Sequence, residues 1–233
     1  MPYTLLVPKN YNKNKEYPVV MFFHGADAKG TCNVKPIQKL EPFYDTDAKT
    51  MSEAIVLIPQ CLNKEDATTM GQYTKPGWWR YKDDGKGTLD VAMELLENEV
   101  LAKYNCDSNR FYVMGLSMGG EATWKTLEKH PEKIAAAVAI CGSNRGNDLS
   151  AGDSTDFEDA TKIKDVPIWI YHGTEDQDVF ISVSEQRYDN LIAAGAENVT
   201  FTVLEGYPHN VWSYAAADSE MIKWLFAQKL NNK

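Results

Sequence analysis

Residues 110–120, Arg-Phe-Tyr-Val-Met-Gly-Leu-Ser-Met-Gly-Gly, contain a Gly-x-Ser-x-Gly pattern centred on Ser117. The pattern alone is weak, because glycine and serine are common and short motifs recur by chance. Its surroundings add specificity: four apolar or aromatic residues before Gly115 indicate a buried strand, and residues 118–129 indicate a helix that stops before Pro131. The alternative is an ordinary strand-to-helix loop. Because a serine on such a turn projects its hydroxyl from a strained backbone, we predict that Ser117 is a nucleophile.

Strand patterns alternate with helix patterns along the rest of the chain. Strands are predicted at residues 3–7, 17–23, 54–60, 134–141, 167–171 and 199–204. Helices are predicted at residues 89–100 with Thr88 as the N-cap, from a Ser182–Glu185 capping box to Gly195, and at residues 219–230. This alternation predicts an α/β fold, with a mostly parallel central sheet and helices on both faces. The length of 233 residues fits one domain over residues 1–233.

Composition excludes several classes of partner. The net charge of -9 disfavours nucleic acid, whose phosphates require lysine and arginine. The longest apolar run, residues 134–141, is too short to cross a membrane. The four cysteines lack C-x-x-C spacing, which argues against zinc and thioredoxin chemistry and leaves one or two disulfides open. We therefore expect no metal site and no cofactor.

The N-terminus carries no basic and apolar signal segment, and a strand pattern begins directly after Met1. The compartment stays open: a secreted or periplasmic location fits if Met1 is not the natural start, and a cytoplasmic one fits otherwise. The sequence does not determine the oligomeric state.

A serine nucleophile needs a base, and the chain contains four histidines. His24 and His172 each end a strand just before a glycine, which suggests that they shape loops. His130 sits at a helix C-terminus, where a surface position is favourable. His209 follows the last strand, at the edge where parallel sheets bind ligands. We predict that His209 is the general base.

The base in turn needs a carboxylate to orient it. Asp176, Asp178 and, less favourably, Glu175 all follow the strand at residues 167–171. Each of them gives the chain order serine, acid, histidine, which is the order of the α/β-hydrolases.

With these features in order, the chain resembles the α/β-hydrolase esterases that include feruloyl esterases, acetylxylan esterases and polyhydroxybutyrate depolymerases. The matching segments are spread over almost the whole chain: Tyr3-Thr-Leu-Leu-Val-Pro8, Phe23-His24-Gly25, Gly115-Leu-Ser-Met-Gly-Gly120, His172-Gly-Thr-Glu-Asp176 and His209-Asn-Val-Trp212. The resemblance implies the α/β-hydrolase fold and Asp176 as the acid, with Asp178 in reserve.

Ester hydrolysis also needs two N–H groups aimed at the developing oxyanion. The backbone N–H of Met118, which follows the nucleophile, is one candidate. The resemblance implies that the backbone N–H of Ala26 is the other, with Gly25 giving room. The chain lacks the His-Gly-Gly-Gly run of lipases, which argues against long acyl chains and favours small or sugar-linked esters.

Three tryptophans are candidate substrate contacts. Trp78 and Trp79 lie in a long polar segment, residues 61–86, and they either contact substrate or plug the edge of the core. Trp212 ends the last matching segment. The polar and acidic connection at residues 142–165 is predicted to be a mobile cap.

These observations favour a serine esterase with the triad Ser117, His209 and Asp176, acting on a small-molecule or polysaccharide-linked ester of acetyl or feruloyl type. Two alternatives remain. A serine peptidase of the prolyl oligopeptidase group shares the fold and the triad, whereas a non-catalytic binding module usually loses a triad member.

Overall fold

The computed structural model describes residues 1–44, 51–63, 65–66, 77–78, 87–142 and 159–230. Within these residues, strands form a seven-stranded sheet in the order β1-β3-β2-β4-β5-β6-β7. The strands are β1 Tyr3–Leu6, β2 Tyr17–Phe23, β3 Ile55–Pro59, β4 Cys106–Leu116, β5 Ala136–Ile140, β6 Ile168–Gly173 and β7 Val199–Leu204. β1 pairs antiparallel with β3, and the other neighbours pair parallel. The prediction of a mostly parallel sheet is confirmed.

Helices cover both faces of this sheet. Those in the described residues are α1 Lys35–Tyr44, α2 Thr88–Leu95, α3 Met118–Lys129, α4 Ser182–Ala193, α5 Trp212–Ala217 and α6 Ser219–Ala227, and a π-helical segment, Leu96–Leu101, continues α2. Apolar residues of α2, α3 and α4 pack in the core on one face. Those of α1, α5 and α6 pack in the core on the other face.

β2 shows why a strand inside such a sheet is apolar along its whole length. Its seven residues are all buried. Successive side chains of a strand point to opposite faces, so Val19 and Met21 enter the first core while Val20 and Phe22 enter the second. Alternating polar residues would leave one of the two cores unfilled.

Two predicted helix starts are wrong. The residue that precedes α2 is Gly87, and the Asp90 carboxylate accepts its N–H at 2.7 Å, so Thr88 is the first helical residue and not the N-cap. The predicted capping box at Ser182 and Glu185 is not formed. The chain is already helical at Ile181, with φ -53° and ψ -31°, because the turn that opens α4 starts earlier.

The C-terminal part also differs from the prediction. α5 was not predicted, and α6 ends at Ala227, three residues before the predicted end. After α6 the chain is extended, and the Tyr112 hydroxyl of β4 donates to the Gln228 carbonyl at 2.7 Å. This tertiary hydrogen bond fixes the end of the helix.

The strand order creates a crevice at the carboxyl edge of the sheet. After β3 the chain crosses β2 to form β4, so the order of connections reverses between β2 and β4. Ligands of open parallel sheets bind at such switch points. Here Gly25 follows β2 and Ser117 follows β4, which places both at the crevice.

Two further expectations concern cysteines and membranes. All four cysteines are free: Cys61 and Cys141 are buried, Cys106 is half-buried and Cys32 is exposed. Among the described helices, none has the length and apolar character needed to span a bilayer.

Candidate active site

Ser117 lies on the sharp turn between β4 and α3. Its φ of 56° and ψ of -121° are a conformation that residues with side chains rarely adopt. Its N–H donates to the Ile140 carbonyl at 2.8 Å, which ties the turn to β5. The strain is held in place by the surrounding sheet, and it matches the backbone expected for an exposed nucleophile.

Gly119 allows this turn to form. A Cβ atom at Gly119 would collide with the carbonyl oxygen of Phe23 at the end of β2, and one at Gly115 would collide with the Gly119 carbonyl. The first turn of α3 therefore sits directly on the backbone of β2 and β4. This contact brings the start of α3 next to the loop that follows β2.

His209 lies in the loop between β7 and α5. A Cβ atom at Gly173, the last residue of β6, would collide with the Tyr207 carbonyl of this loop. The same carbonyl accepts the N–H of Glu175 at 2.9 Å. The backbone contact holds the His209 loop against the segment that contains Asp176.

The three predicted residues form one chain of hydrogen bonds. Ser117 Oγ lies 2.8 Å from His209 Nε2, and His209 Nδ1 lies 2.7 Å from Asp176 Oδ2. Asp176 Oδ2 can only accept when ionised, so Nδ1 donates to it and Nε2 accepts from the serine hydroxyl. The His209 side chain is 16% exposed and that of Asp176 is fully buried. This geometry lets an imidazole take a proton from Ser117 at the solvent edge while a buried carboxylate orients it.

Asp176 and Asp178 occupy different environments. Asp176 Oδ1 accepts the backbone N–H groups of Asp178 at 2.9 Å and Val179 at 2.8 Å. Burial by itself would raise the pKa of Asp176, but hydrogen bonds from His172 and His209 outweigh it and hold the pKa below its ordinary value. Asp178 and Glu175 are both exposed. The structure thus brings Asp176, and neither of its two competitors, to His209.

The two candidate oxyanion donors flank the crevice. Met118 is the first residue of α3, and Ala26 begins a short 3-10 turn after β2. No described residue accepts the N–H of Met118 or of Ala26. The approach of Gly119 to Phe23 brings the two donor segments together. Both N–H groups therefore lack a described acceptor, as candidate oxyanion donors must.

His24 is a buried residue that holds the backbone next to the candidate donor Ala26. Its Nε2 accepts the backbone N–H of Cys61 at 3.0 Å, so the ring proton sits on Nδ1 and is donated to the Gly25 carbonyl at 2.6 Å. Burial lowers the pKa of His24 to about 4, which keeps the ring neutral. In a trans peptide the carbonyl and the next N–H point in opposite directions. Fixing the Gly25 carbonyl thus fixes the direction of the Ala26 N–H.

The profile of the Esterase family matches residues 1–230. The chain belongs to this family.

Similar proteins extend the comparison. A solved thermostable esterase is 31% identical, with a TM-score of 0.77 over 97% of this chain and 59% of its own. A ferulic acid esterase from Anaeromyces mucronatus, solved in complex with ferulic acid, is 19% identical, with a TM-score of 0.64 over 95% of this chain and 83% of its own. "Probable feruloyl esterase C" from Aspergillus niger is 22% identical over 151 residues, 63% of this chain and 50% of that protein. These similarities confirm the α/β-hydrolase fold.

The chain spans about half the length of the first curated relatives that it matches.

The tryptophans of this Esterase family member have different positions. Trp78 is 0% exposed, packs against Phe23 and donates its Nε1–H to the His24 carbonyl at 3.2 Å. Its side chain offers no surface to a substrate, so the prediction of a substrate contact at Trp78 is wrong. Trp78 instead plugs the edge of the core, which was the alternative interpretation. Trp79 lies outside the described residues. Trp212 is half-buried beside the triad, with its ring 5.7 Å from that of His209.

The rim next to Trp212 contains residues that the sequence did not single out. Lys39 Nζ lies 5.4 Å from the Trp212 ring centroid and 2.6 Å from the Asp27 carboxylate. Asp27 follows the Ala26 donor directly. Residues from α1, α5 and the loop after β2 therefore meet at one side of the crevice. The sequence pattern does not predict this meeting of the three segments, because it depends on how the helices pack.

The predicted mobile cap at residues 142–165 lies largely outside the described residues.

Cys141 packs beneath the triad and raises the question of a metal. Its sulfur and atoms of Asp176 and His209 lie within 4.8 Å of one another. Burial raises the pKa of the Cys141 thiol well above its ordinary value, and metals bind the thiolate. Asp176 and His209 already bond to each other. This group of residues fits a packed triad better than a metal site.

Proposed function

We propose that this chain is a serine carboxylic-ester hydrolase in which residues 1–233 form one esterase domain. The observation that carries the proposal is the hydrogen-bond chain from Ser117 through His209 to Asp176, on a strained turn at the switch point of the sheet. Membership of the Esterase family supports the same conclusion.

In the first half of the proposed reaction, Ser117 Oγ attacks the carbonyl carbon of the ester. His209 Nε2, 2.8 Å away, takes the hydroxyl proton as the new C–O bond forms. The negative charge on the carbonyl oxygen is stabilised by the N–H groups of Met118 and Ala26. When the tetrahedral intermediate collapses, the ester C–O bond breaks and His209 gives the proton to the departing alcohol.

In the second half, water hydrolyses the acyl-serine. His209 Nε2 takes a proton from the water as its oxygen attacks the acyl carbon, and the same N–H groups hold the second oxyanion. Collapse returns the proton to Ser117 Oγ and releases the carboxylic acid. Asp176 stays ionised throughout, since hydrogen bonds keep its pKa low, and it stabilises the imidazolium in both halves.

For the substrate we propose small or carbohydrate-linked esters of acetyl or feruloyl type. Support comes from relatives that are named feruloyl esterases. The half-buried Trp212 beside His209 supplies an aromatic surface at the crevice that suits a planar acyl group or a sugar ring.

A panel of esters tests the proposal. Purified protein is assayed on acetyl, butyryl, feruloyl and long-chain esters of the same alcohol, and Ser117→Ala is compared with Ser108→Ala, an exposed serine at the start of the same strand. We expect hydrolysis of the acetyl or feruloyl ester, a loss on the order of 10⁴ to 10⁶ in kcat for Ser117→Ala, and no loss for Ser108→Ala. The free energy of unfolding should be unchanged in both variants, because each substitution removes only one hydroxyl group.

The contrary outcomes identify the alternatives. Retention of a tenth of the activity in Ser117→Ala would remove Ser117 from the mechanism. Cleavage of peptide amides without cleavage of esters would indicate a peptidase. Binding of these esters without any turnover would indicate a binding module.

A further inference from the structure

His172 is a second histidine in contact with the proposed acid. It lies near the end of β6, its side chain is fully buried, and its Nε2 is 3.1 Å from Asp176 Oδ2. The same Nε2 is 2.8 Å from the Val179 carbonyl oxygen, and Nδ1 is 2.7 Å from Ser184 Oγ. The mechanism above does not use this histidine.

The partners of the ring fix its tautomer. A carbonyl oxygen and an ionised carboxylate can only accept hydrogen bonds, so the proton of a neutral His172 must be on Nε2. Nδ1 is then an acceptor, and the Ser184 hydroxyl donates to it. The Nε2–H is donated to the Val179 carbonyl, and Asp176 Oδ2 lies 3.1 Å from the same nitrogen.

Asp176 Oδ2 therefore has a ring nitrogen of each of two histidines within 3.1 Å. His209 donates from 2.7 Å on the side of Ser117, and His172 approaches from 3.1 Å on the buried side. Two backbone N–H groups hold Oδ1. Both carboxylate oxygens therefore have partners. Rotating the carboxylate about its Cβ–Cγ bond would break several of these contacts at once.

We propose that His172 is a positioning residue, which holds Oδ2 of Asp176 and the following Val179 carbonyl so that the carboxylate faces His209 in the serine-esterase mechanism. This inference rests on the proposed function. His172 touches neither substrate nor Ser117, and it acts through Asp176.

Ser184 connects this arrangement to α4. It is a buried residue in the first turn of that helix, and its hydroxyl points to His172 rather than to its own helix terminus. Ser184 belongs to α4 and bonds the His172 ring, so the position of α4 determines where that ring lies. The acid is thereby supported by a chain of contacts from α4 through Ser184 and His172 to Asp176.

Substitutions at His172 test the inference. His172→Met removes the donor and keeps a long, flexible side chain, whereas His172→Gln keeps an N–H donor near the position of Nε2. We expect His172→Met to lower kcat by about 10- to 100-fold with KM within about twofold, and His172→Gln to recover most of that loss. His130→Met is the matched control, because His130 lies at the far end of α3, about 20 Å from Ser117 along the helix. It should leave kcat unchanged.

A double-mutant cycle separates positioning from a general structural effect. If His172 acts through Asp176, then His172→Met should cost less than about threefold in an Asp176→Asn background, although it costs 10-fold or more in the parent. An equal loss in both backgrounds would overturn the inference, as would an unchanged kcat in His172→Met.

A spectroscopic measurement on the unmodified protein covers the case in which His172→Met does not fold. Long-range ¹⁵N–¹H correlation spectra report which ring nitrogen is protonated, and we expect the Nε2–H tautomer for His172. Ser184→Ala should weaken this preference and lower kcat by about two- to fivefold. An Nδ1–H tautomer would contradict the inference. If the parent protein hydrolyses no ester, the proposed function is rejected. The tautomer measurement still tests whether His172 makes the contacts described above.

Discussion

At the scale of single residues, the carboxylate of Asp176 has two oxygens with separate partners. Oδ1 accepts two backbone N–H groups of its own loop, and Oδ2 faces the imidazoles. Asp178 contributes only its backbone N–H to this arrangement, and its side chain is exposed. Two aspartates that are two positions apart therefore differ in what their side chains can do.

The first residue-scale prediction compares these two aspartates. Asp176→Asn keeps the shape but can force the wrong tautomer on His209, so we expect kcat to fall by roughly 10³- to 10⁴-fold. Asp178→Asn should cost less than about tenfold, because it leaves the backbone contact intact. Steady-state kinetics on one ester checks both variants, and the reverse ranking would assign the acid to Asp178.

A second residue-scale prediction concerns stability and pH. His24 is buried with its pKa lowered to about 4, whereas an unfolded histidine titrates near 6.5. Between these values the unfolded chain binds a proton that the folded chain does not, so stability falls as the pH is lowered from about 6.5 to 4. The contribution reaches about 3 kcal/mol at the acid end.

Urea unfolding of the parent and of His24→Asn at pH 7, 6 and 5 measures this contribution. The parent should lose stability more steeply than the variant over this range. Parallel curves for the two proteins would show that His24 is not buried and neutral.

Much of the residue-scale arrangement could be predicted from the sequence, because Ser117 and His209 each follow a strong strand pattern. The choice of Asp176 over Asp178 came from the family resemblance, since residues two apart in a loop have no periodicity to separate them. The contact between His172 and Asp176 could not be predicted, because it depends on the path of the loop after β6. Trp78 was ambiguous for a similar reason: an aromatic residue in a long loop packs inward or outward according to tertiary contacts.

At the scale of elements, the candidate site depends on the contact between the start of α3 and the ends of β2 and β4. The helix sits on the ends of β2 and β4 without intervening side chains. Its first N–H groups therefore point into the crevice beside Ser117, as helix N-termini do at anion sites. A larger residue at Gly119 would separate the helix from the sheet.

This contact predicts that two glycine substitutions differ in effect. Gly119→Ala places a methyl group on the Phe23 carbonyl and should destabilise the protein by at least about 3 kcal/mol, with loss of activity. Gly195→Ala, after α4, has a φ of +88° but meets nothing within 4 Å, and should cost about 1 kcal/mol without loss of activity. Chemical denaturation and an ester assay compare them. Equal costs for the two substitutions would contradict the described packing of α3.

Most of the elements were predictable, since their hydrophobic patterns have the right period and length, but α1 was not predicted. The start of α4 was not, because the turn at Ile181 precedes the Ser182–Glu185 motif and leaves Ser184 free to bond His172. α5 was missed because six residues are too few to show a helical period.

At the scale of the whole molecule, the sheet brings together segments that are distant in the sequence. The loops after β2, β4, β6 and β7 meet at the carboxyl edge, where the strand order reverses. The fold therefore explains how residues 26, 118, 176 and 209 come together at one edge of the sheet. A net charge of -9 adds no attraction for anionic polymers, which agrees with a neutral ester as substrate.

The most direct measurement of the central proposal is covalent labelling of Ser117. Diisopropyl fluorophosphate phosphorylates a serine whose hydroxyl is activated by an imidazole, with loss of fluoride. Trypsin should release residues 111–125, in which Ser117 is the sole serine, so mass spectrometry can locate the adduct. We expect one adduct per chain, on Ser117, formed at least about 100-fold more slowly in His209→Ala. An active protein that is labelled on another peptide, or that is not labelled at all, would contradict the assignment of Ser117 as the nucleophile.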